Sequence, residues 1–570
     1  MVLAESELQR ALSENATLRL ALKQAIEERD VSAQKAAFAS RRVEELQGKI
    51  RALMEQVALL ERRIFAAKKE RIDHQQLDLE FASTKKELDA LQRELQGQLE
   101  APSDETSDDG NKPSSPKPKA KPTGKRDLAS CTSMPTQSIV ITDPEGEALV
   151  LAGKASRMEA PPSYRLGYVR GGYTRVAITL TTYRVETTEL GAEKRATLIT
   201  ALQAPTLFPR SLATPSLVAK ILTDKYADGL PLYRQEERFS REGLELDRGT
   251  TSRWVQTSGL ALGPLMTAFK KDALDNAFCA AVDATGVLIQ PALSERKSAH
   301  QACRKGHFFG IVIDKSAVAF EYTRSETSAA VQSMLGGFKG YVQSDAKNVF
   351  DILDEREDAA PRLGCWAHCR RHFYDAAAVN RDKRALEALM RIGRIYKLER
   401  DHVKSRPSAR RVMRNTLARA EVDAFFAWLK PICESVEHER GLTRSAFLYA
   451  RNQEPELRTY LSDERLNIDN NRCERALRTV AVGRKNWLFI GSDEHAESTA
   501  AIMTAIASSR VNGLDPNSYL RDMLRVLPHW PKERLLELAP TRWSTTRSTL
   551  NQAQLEAEMG PLDVPDMSER

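Results

Sequence analysis

Cysteine is scarce in this sequence: seven in 570 residues (131, 279, 303, 365, 369, 433 and 473), an odd number scattered over a long chain. That excludes a disulfide framework and predicts reduced thiols. No apolar run approaches the ~20 residues a membrane-spanning helix needs, and Met1–Arg10 lacks the basic-then-apolar layout of a secretory signal. A cytoplasmic protein with no membrane partner is expected. Charge of one sign is nearly balanced, 85 Lys and Arg against 78 Asp and Glu, and the excess of +7 permits nucleic-acid binding without establishing it. Proline is missing from residues 1–100, and neither cysteine nor histidine occurs between 138 and 205. What is present, 41% hydrophobic and 29% charged residues, is ordinary for a folded protein, and the length calls for several structural units.

The proline-free stretch 1–100 carries a heptad run, Val43, Leu46, Ile50, Leu53, Val57, Leu60 and Ile64. β-Branched residues fill one core position and leucines the other, the arrangement that favours two parallel strands. A coiled-coil homodimer or higher oligomer is expected, with an antiparallel hairpin within one chain as the alternative. Residues 101–137 turn Pro-, Ser-, Asp- and Lys-rich, first acidic and then basic, and read as a disordered linker whose basic half is either solvated or laid on DNA phosphate. From 138 to 205, Ile139–Ile141, Ala148–Leu151 and the alternation Val176, Ile178, Leu180 read as strands of a small β module. Between 206 and 272, helices are expected over Pro215–Ala227, Leu230–Glu242 and from Arg248 to Gln256, with glycine at the turns, a helix-turn-helix layout. Arg248, Thr250, Thr251, Ser252 and Arg253 would line the exposed start of its last helix, although any helical bundle produces such spacing.

Residues 273–525 carry the chemistry. The apolar run Phe278–Val282 ends in Asp283, a strand pair follows at His307–Ile313 and Val318–Tyr322, then a helix at Thr327–Leu335, and the strand Gly340–Ser344 ends in Asp345. An RNase H-like α/β sheet uses this order to bring two carboxylates side by side, because phosphodiester chemistry employs hard divalent ions held by oxygen. Glu474 is the candidate third acid. Taken singly, each has a plainer reading: aspartates commonly end strands, and Asn471 with Glu474 fits a helix capping box. The stretch 375–465 reads as an inserted helical subdomain, and 526–570 as a C-terminal tail. Cys365, His368, Cys369 and His372 have spacings that would suit zinc on one helical face, but structural zinc sites usually pair ligands from separate elements, so no zinc is expected.

Several blocks in order closely resemble the transposases of the insertion sequence 66 family: Leu222–Gln235, Cys365-Trp366-Ala367-His368 with Arg370 and Arg371, Asp469-Asn470-Asn471 with Glu474 and Arg475, and Gly483–Phe489 with Gly491-Ser492. The resemblance implies a DDE transposase with an RNase H-like core, its acids at Asp283, Asp345 and Glu474, using magnesium or manganese. It implies double-stranded DNA as partner, both element ends and target, and small accessory transposition proteins. His368 is then read as a group supporting the acids, and Arg370 and Arg371 as phosphate contacts or ordinary ion-pair partners. Arg475, Arg478, Arg484 and Lys485 would grip phosphate or form a solvated basic face. Three departures stand out. The family's cysteine-rich zinc segment has no counterpart in 138–205, Asp283 lies in Ala281-Val282-Asp283-Ala284-Thr285 where the family has a His-Ala-Asp-Glu-Thr block, and Asp493-Glu494 replaces a glycine pair. A catalytically decayed, coiled-coil DNA-binding protein is the alternative.

Overall fold

The computed structural model of the protein describes residues 135–169, 171–187, 195–291 and 303–566. The heptad run and nearly all of the linker lie outside the described residues. The chain divides into two units, one of 117–367 with 455–570, the other including 368–454.

The larger unit begins with β1 (Thr136–Ile141), α1 (Pro144–Leu151), β2 (Ala155–Met158), β3 (Ser163–Val169), β4 (Gly172–Leu180), β5 (Thr182–Thr187) and β6 (Arg195–Thr200). They form two small sheets, β1-β4-β3 and β2-β5-β6. One expected strand is a helix: Ala148–Leu151 closes α1, because Asp143 caps it by accepting from the Gly146 amide at 2.6 Å, Pro144 starts it, and Glu145 and Glu147 sit in its first turn. A strand reading of four consecutive apolar residues missed those start signals.

Three helices follow, α2 (Pro215–Tyr226), α3 (Leu232–Arg241) and α4 (Arg248–Asp275), with Gly229 and Gly243 turning at φ of 73° and 74°. The last runs nineteen residues beyond the expected Gln256. Its continuation packs Leu262, Leu265, Met266 and Phe269 into the main core.

That core is built on β7 (Cys279–Ile289), β8 (Arg304–Ile313), β9 (Ala317–Thr323), α5 (Ser328–Leu335) and β10 (Tyr341–Gln343), where strands and helix are expected, except that β7 does not end at Asp283: its ladder with β8 continues to Ile289, which places Asp283 within the strand. The sheet order is β10-β7-β8-β9, with β10 parallel to β7 and the other pairs antiparallel. Beyond β10 the sheet gains one parallel bridge at Leu363, whose amide donates to the Val342 carbonyl at 2.7 Å.

In the smaller unit, α6 (Trp366–Asn380, which starts at the boundary), α7 (Lys383–Asp401), α8 (Pro407–Met413), α9 (Arg419–Val436) and α10 (Leu442–Asn452) enclose Phe373, Phe425 and Phe447. Ring centroids of Phe373 and Phe447 are 5.0 Å apart at 87°, an edge-to-face contact. This part of the unit spans 368–454, overlapping the helical stretch expected at about 375–465.

The chain returns through α11 (Glu454–Thr459) to α12 (Asn471–Trp487), α13 (Asp493–Val511), α14 (Pro516–Val526), α15 (Trp543–Ser548) and α16 (Gln552–Glu556). α13 covers the edge strand β9: Thr504 Oγ1 accepts from the Phe320 amide at 2.9 Å, and Ser508 Oγ both accepts from the Val318 amide and donates to its carbonyl. Side-chain hydroxyls thus satisfy an edge that would otherwise invite another strand. The segment expected as a tail is part of the core, with Trp543, Leu550, Leu555 and Leu562 buried and Arg525 donating to the carbonyls of Gln554, Ala557, Gly560 and Pro561. No helix among the described residues is long and apolar enough to cross a membrane.

Candidate active site

The last register pair between the parallel strands is Gln343 with Ala281, and two residues further along each lie Asp345 and Asp283. Parallel pairing thus sets both acids two residues past the same register pair, Asp283 within β7 and Asp345 just beyond the end of β10. Asp345 is only 9% exposed, and its Oδ1 accepts from the Lys347 amide at 3.2 Å; Asp283 Oδ1 accepts from the Ala284 amide at 2.7 Å.

Glu474 arrives from far along the chain, on the first turn of α12. Fully buried Asn470 at the helix start donates its side-chain amide to the Val282 carbonyl at 2.9 Å, while its backbone amide donates to Cys365 Sγ at 3.2 Å. Cys473 Sγ donates to the Gly310 carbonyl at 3.0 Å, and Gly310 is the register partner of Asp283 across β7 and β8. A Cβ at Gly310 would stand 2.9 Å from Leu477, so glycine there lets α12 lie directly on the sheet. The start of α12 is therefore pinned to the strand residues around Asp283. The helix-cap alternative fares otherwise: Asn470, not Asn471, is the cap residue and makes no side-chain cap bond, and Asn471 Nδ2 donates to Asp469 at 2.8 Å.

Burial pushes the Cys473 thiol well above its ordinary pKa, with the charges of Asp283, Glu474 and Asp345 adding to the rise against a hydrogen bond from the Asp283 backbone. The thiol stays neutral, and the donors offered by the three acids are all carboxylate oxygens, a set that suits a hard divalent ion. Lys347 stands beside them, its Nζ 2.8 Å from Glu326 Oε1 and 3.8 Å from Asp345 Oδ2. Desolvation lowers its pKa, but the Glu326 hydrogen bond and the charges of Asp345, Glu326 and Asp283 outweigh that and raise it. His307 Nε2 lies 3.8 Å from Glu326 Oε2, and burial holds this imidazole below its ordinary pKa and neutral at pH 7.

The candidate DNA-contacting residues have different surroundings. Arg475 and Arg478 are exposed on α12 and, with Lys225 and Asp228, line a cleft of about 250 Å³. Arg484 instead donates to Thr285 Oγ1 and the Gly286 carbonyl, bracing α12 against β7; Lys485 is half-buried. Arg248 and Ser252 line a second cleft, about 390 Å³, beside the exposed Leu488 and Phe489, although Arg248 also pairs with Glu236 at 2.9 Å. Thr250 is tied to Asp247, which caps α4, and Arg253 donates to Thr250. Thr251 does not face outward as expected: it is 2% exposed, its hydroxyl turned back to the Arg248 carbonyl. His368, Arg370 and Arg371 lie on α6, both arginines exposed, in the smaller unit.

Sequence reasoning missed Lys347, Glu326, His307, Cys473 and Asn470 as members of this neighbourhood. Asn470 and Cys473 stood within or beside the Asp469–Glu474 block, and Lys347 two residues past Asp345. Glu326, in the connection between β9 and α5, carried no local signal.

Comparison with known proteins gives the family. Residues 210–498 match the family model described as Transposase IS66 family, residues 504–541 the IS66 C-terminal element, and residues 52–130 the segment described as Transposase C of IS166 homeodomain. The chain belongs to the insertion sequence 66 family of transposases. It is 29% identical over 354 residues to Uncharacterized protein y4qI of Sinorhizobium fredii, which covers 60% of this chain and 65% of that protein. To Uncharacterized protein y4hP of the same organism it is 30% identical over 367 residues, 59% of this chain and 63% of the relative. The chain thus spans less than two thirds of the length of these relatives.

Proposed function

We propose that the protein is a DDE transposase that binds the ends of its element and cuts and joins DNA at a site formed by Asp283, Asp345 and Glu474. The observation that carries this reading is the anchoring of α12 to β7 through Asn470–Val282 and Cys473–Gly310, beside Asp283 within β7 and Asp345 just past the end of β10, each two residues beyond the register pair Ala281–Gln343. The sheet order β10-β7-β8-β9, continued by the bridge at Leu363, supports an RNase H-like core. Magnesium, or manganese in its place, would be held by the three acids and, when bound, activates the attacking oxygen and stabilises the leaving one.

The chain's own residues set up that chemistry. The Lys347 amide fixes the rotation of the Asp345 carboxylate, and Asn470 and Cys473 fix the distance of α12 from the sheet. Water attacks a phosphodiester at the element end, leaving a 3′-hydroxyl and a 5′-phosphate. That hydroxyl then attacks a target phosphodiester, forming one new diester and releasing the target's 3′-oxygen as a hydroxyl. Arg475 and Arg478 are placed on the exposed side of α12 to take phosphates, and α2, α3 and α4 offer a helix-turn-helix arrangement for the element ends.

Strand transfer in vitro, with labelled element ends, a divalent ion and any accessory proteins encoded beside the element, tests the reading. Asp345→Asn and Glu474→Gln should each lower joined product by about 10²–10³ or more while leaving end binding intact. Specific end binding by wild type with no joined product under any of these conditions would favour a decayed DNA-binding protein instead.

A further inference from the structure

The connection between β9 and α5 and the turn after β10 place a second charged pair beside the acids. Lys347 addresses both oxygens of Asp345, its amide donating to Oδ1 at 3.2 Å and its ammonium 3.8 Å from Oδ2. The same ammonium is 2.8 Å from Glu326 Oε1. Carboxylates gathered at one site repel one another, and an ammionium among them relieves that repulsion. It also opposes a second cation at the same oxygens, since like charges within ~4 Å repel strongly where solvent screening is incomplete. The Lys347 side chain is 43% exposed and has room to swing, whereas Glu326 is 21% exposed and flanked by His307 on its other oxygen. The geometry supplies a cation in the acid site and a second carboxylate able to draw it aside.

We infer that Lys347 is a resident counter-cation of the carboxylate site and that Glu326 holds it aside when a divalent ion enters, so that this pair sets how tightly the site takes the ion. The inference rests on the reading of Asp283, Asp345 and Glu474 as ion-binding acids. Lys347 is a positioning residue: it acts on the ion through Asp345. Removing its charge should tighten ion binding. Removing the charge of Glu326 leaves Lys347 to Asp345 alone and should weaken it, an opposition of sign that loss of packing does not produce.

Mn²⁺ binding to the full-length protein without DNA, read from the paramagnetic resonance signal of unbound Mn²⁺ at one pH, provides the test. Lys347→Met should bind about tenfold tighter than wild type, Glu326→Gln about threefold weaker, and Lys347→Arg near wild type. Lys347→Gln repeats the first comparison should the Met variant melt at a different temperature. If the Lys347 and Glu326 variants bind as wild type while Asp345→Asn loses Mn²⁺, the counter-cation inference is overturned and the ion site stands. If Asp283→Asn and Asp345→Asn both bind as wild type, the ion-site reading itself falls, and the inference with it.

Discussion

Glu399 is 6% exposed and Arg414 1%, and the two meet through a pair of 2.8 Å hydrogen bonds, with Arg410 adding a third at 2.8 Å. Burial alone would raise the Glu399 pKa, but the hydrogen bonds and charges of Arg414 and Arg410 outweigh it and hold the carboxyl below its ordinary 4.5. A depressed folded-state pKa contributes stability that is present above the unfolded value and lost as pH falls through the folded one. Glu399→Gln should therefore destabilise the helical unit by about 3 kcal/mol at neutral pH, because it removes the carboxylate charge that two guanidiniums, one of them buried, share. The gap between wild-type and variant melting temperatures should shrink as pH drops below 4.5; a constant gap would refute the assignment. Among residues of the candidate site, Asp283 and Asp345 were legible in the sequence because each follows a local apolar run, although Asp283 proves to lie within β7 rather than at its end. Asn470 and Cys473 were visible only as neighbours of Glu474. Their partners Val282 and Gly310 lie 188 and 163 residues away, and no local pattern records that separation.

The packing of α4 against α13 depends on a single missing side chain. A Cβ at Gly259 would stand 2.4 Å from Ser498 Cβ and 2.6 Å from its Cα, too close for any neighbour to yield cheaply, whereas Gly263, one turn on, has nothing within 4 Å. Alanine at either position gains about 0.5–1 kcal/mol of helix propensity. At Gly259 the overpacking cost of about 1–3 kcal/mol exceeds that gain. Gly259→Ala should lower the melting temperature and Gly263→Ala raise it, and a pair of thermal unfolding curves decides. Two matched outcomes of the same sign would mean that the helices are not in close contact at Ser498. The element-level departures noted in the sequence also find their physical form here. Asp493, where the resemblance leads one to expect glycine, starts α13 after Ser492 caps it, and its carboxylate is held by Arg304, Tyr322 and Arg324, so the first turn is tied to the sheet by charge. The β module keeps two sheets and a helix without any cysteine or histidine in 138–205, and Val176, Ile178 and Ile141 supply its apolar core.

At the scale of the whole molecule, the chain carries three kinds of apparatus: a heptad segment, a unit with a mixed sheet, and a helical unit inserted between Asp345 and Glu474. The heptads predict assembly. Replacing Ile50 and Val57 together by lysine puts charge at two seam positions, and sedimentation equilibrium should then report a monomer where wild type is a dimer or larger. Equal masses for the two proteins would remove the intermolecular seam and leave the hairpin within one chain.

The sequence by itself determined the family through ordered blocks, the strands β7 to β10 through apolar runs, and Asp345 just past the end of β10, whereas it stopped β7 at Asp283, short of its end at Ile289. What it determined was legible because strand periodicity, turn residues and short blocks are all local in the chain. It misread Ala148–Leu151, where a run of four apolar residues fits strand or helix and the capping by Asp143 favoured the helix. Tertiary structure alone decided that Thr251 points inward, that the expected tail is core, that Arg484 braces β7, and that Glu326 and Lys347 stand beside Asp345. Each of those outcomes depends on burial or charge between residues distant in sequence, which is settled only when the elements pack.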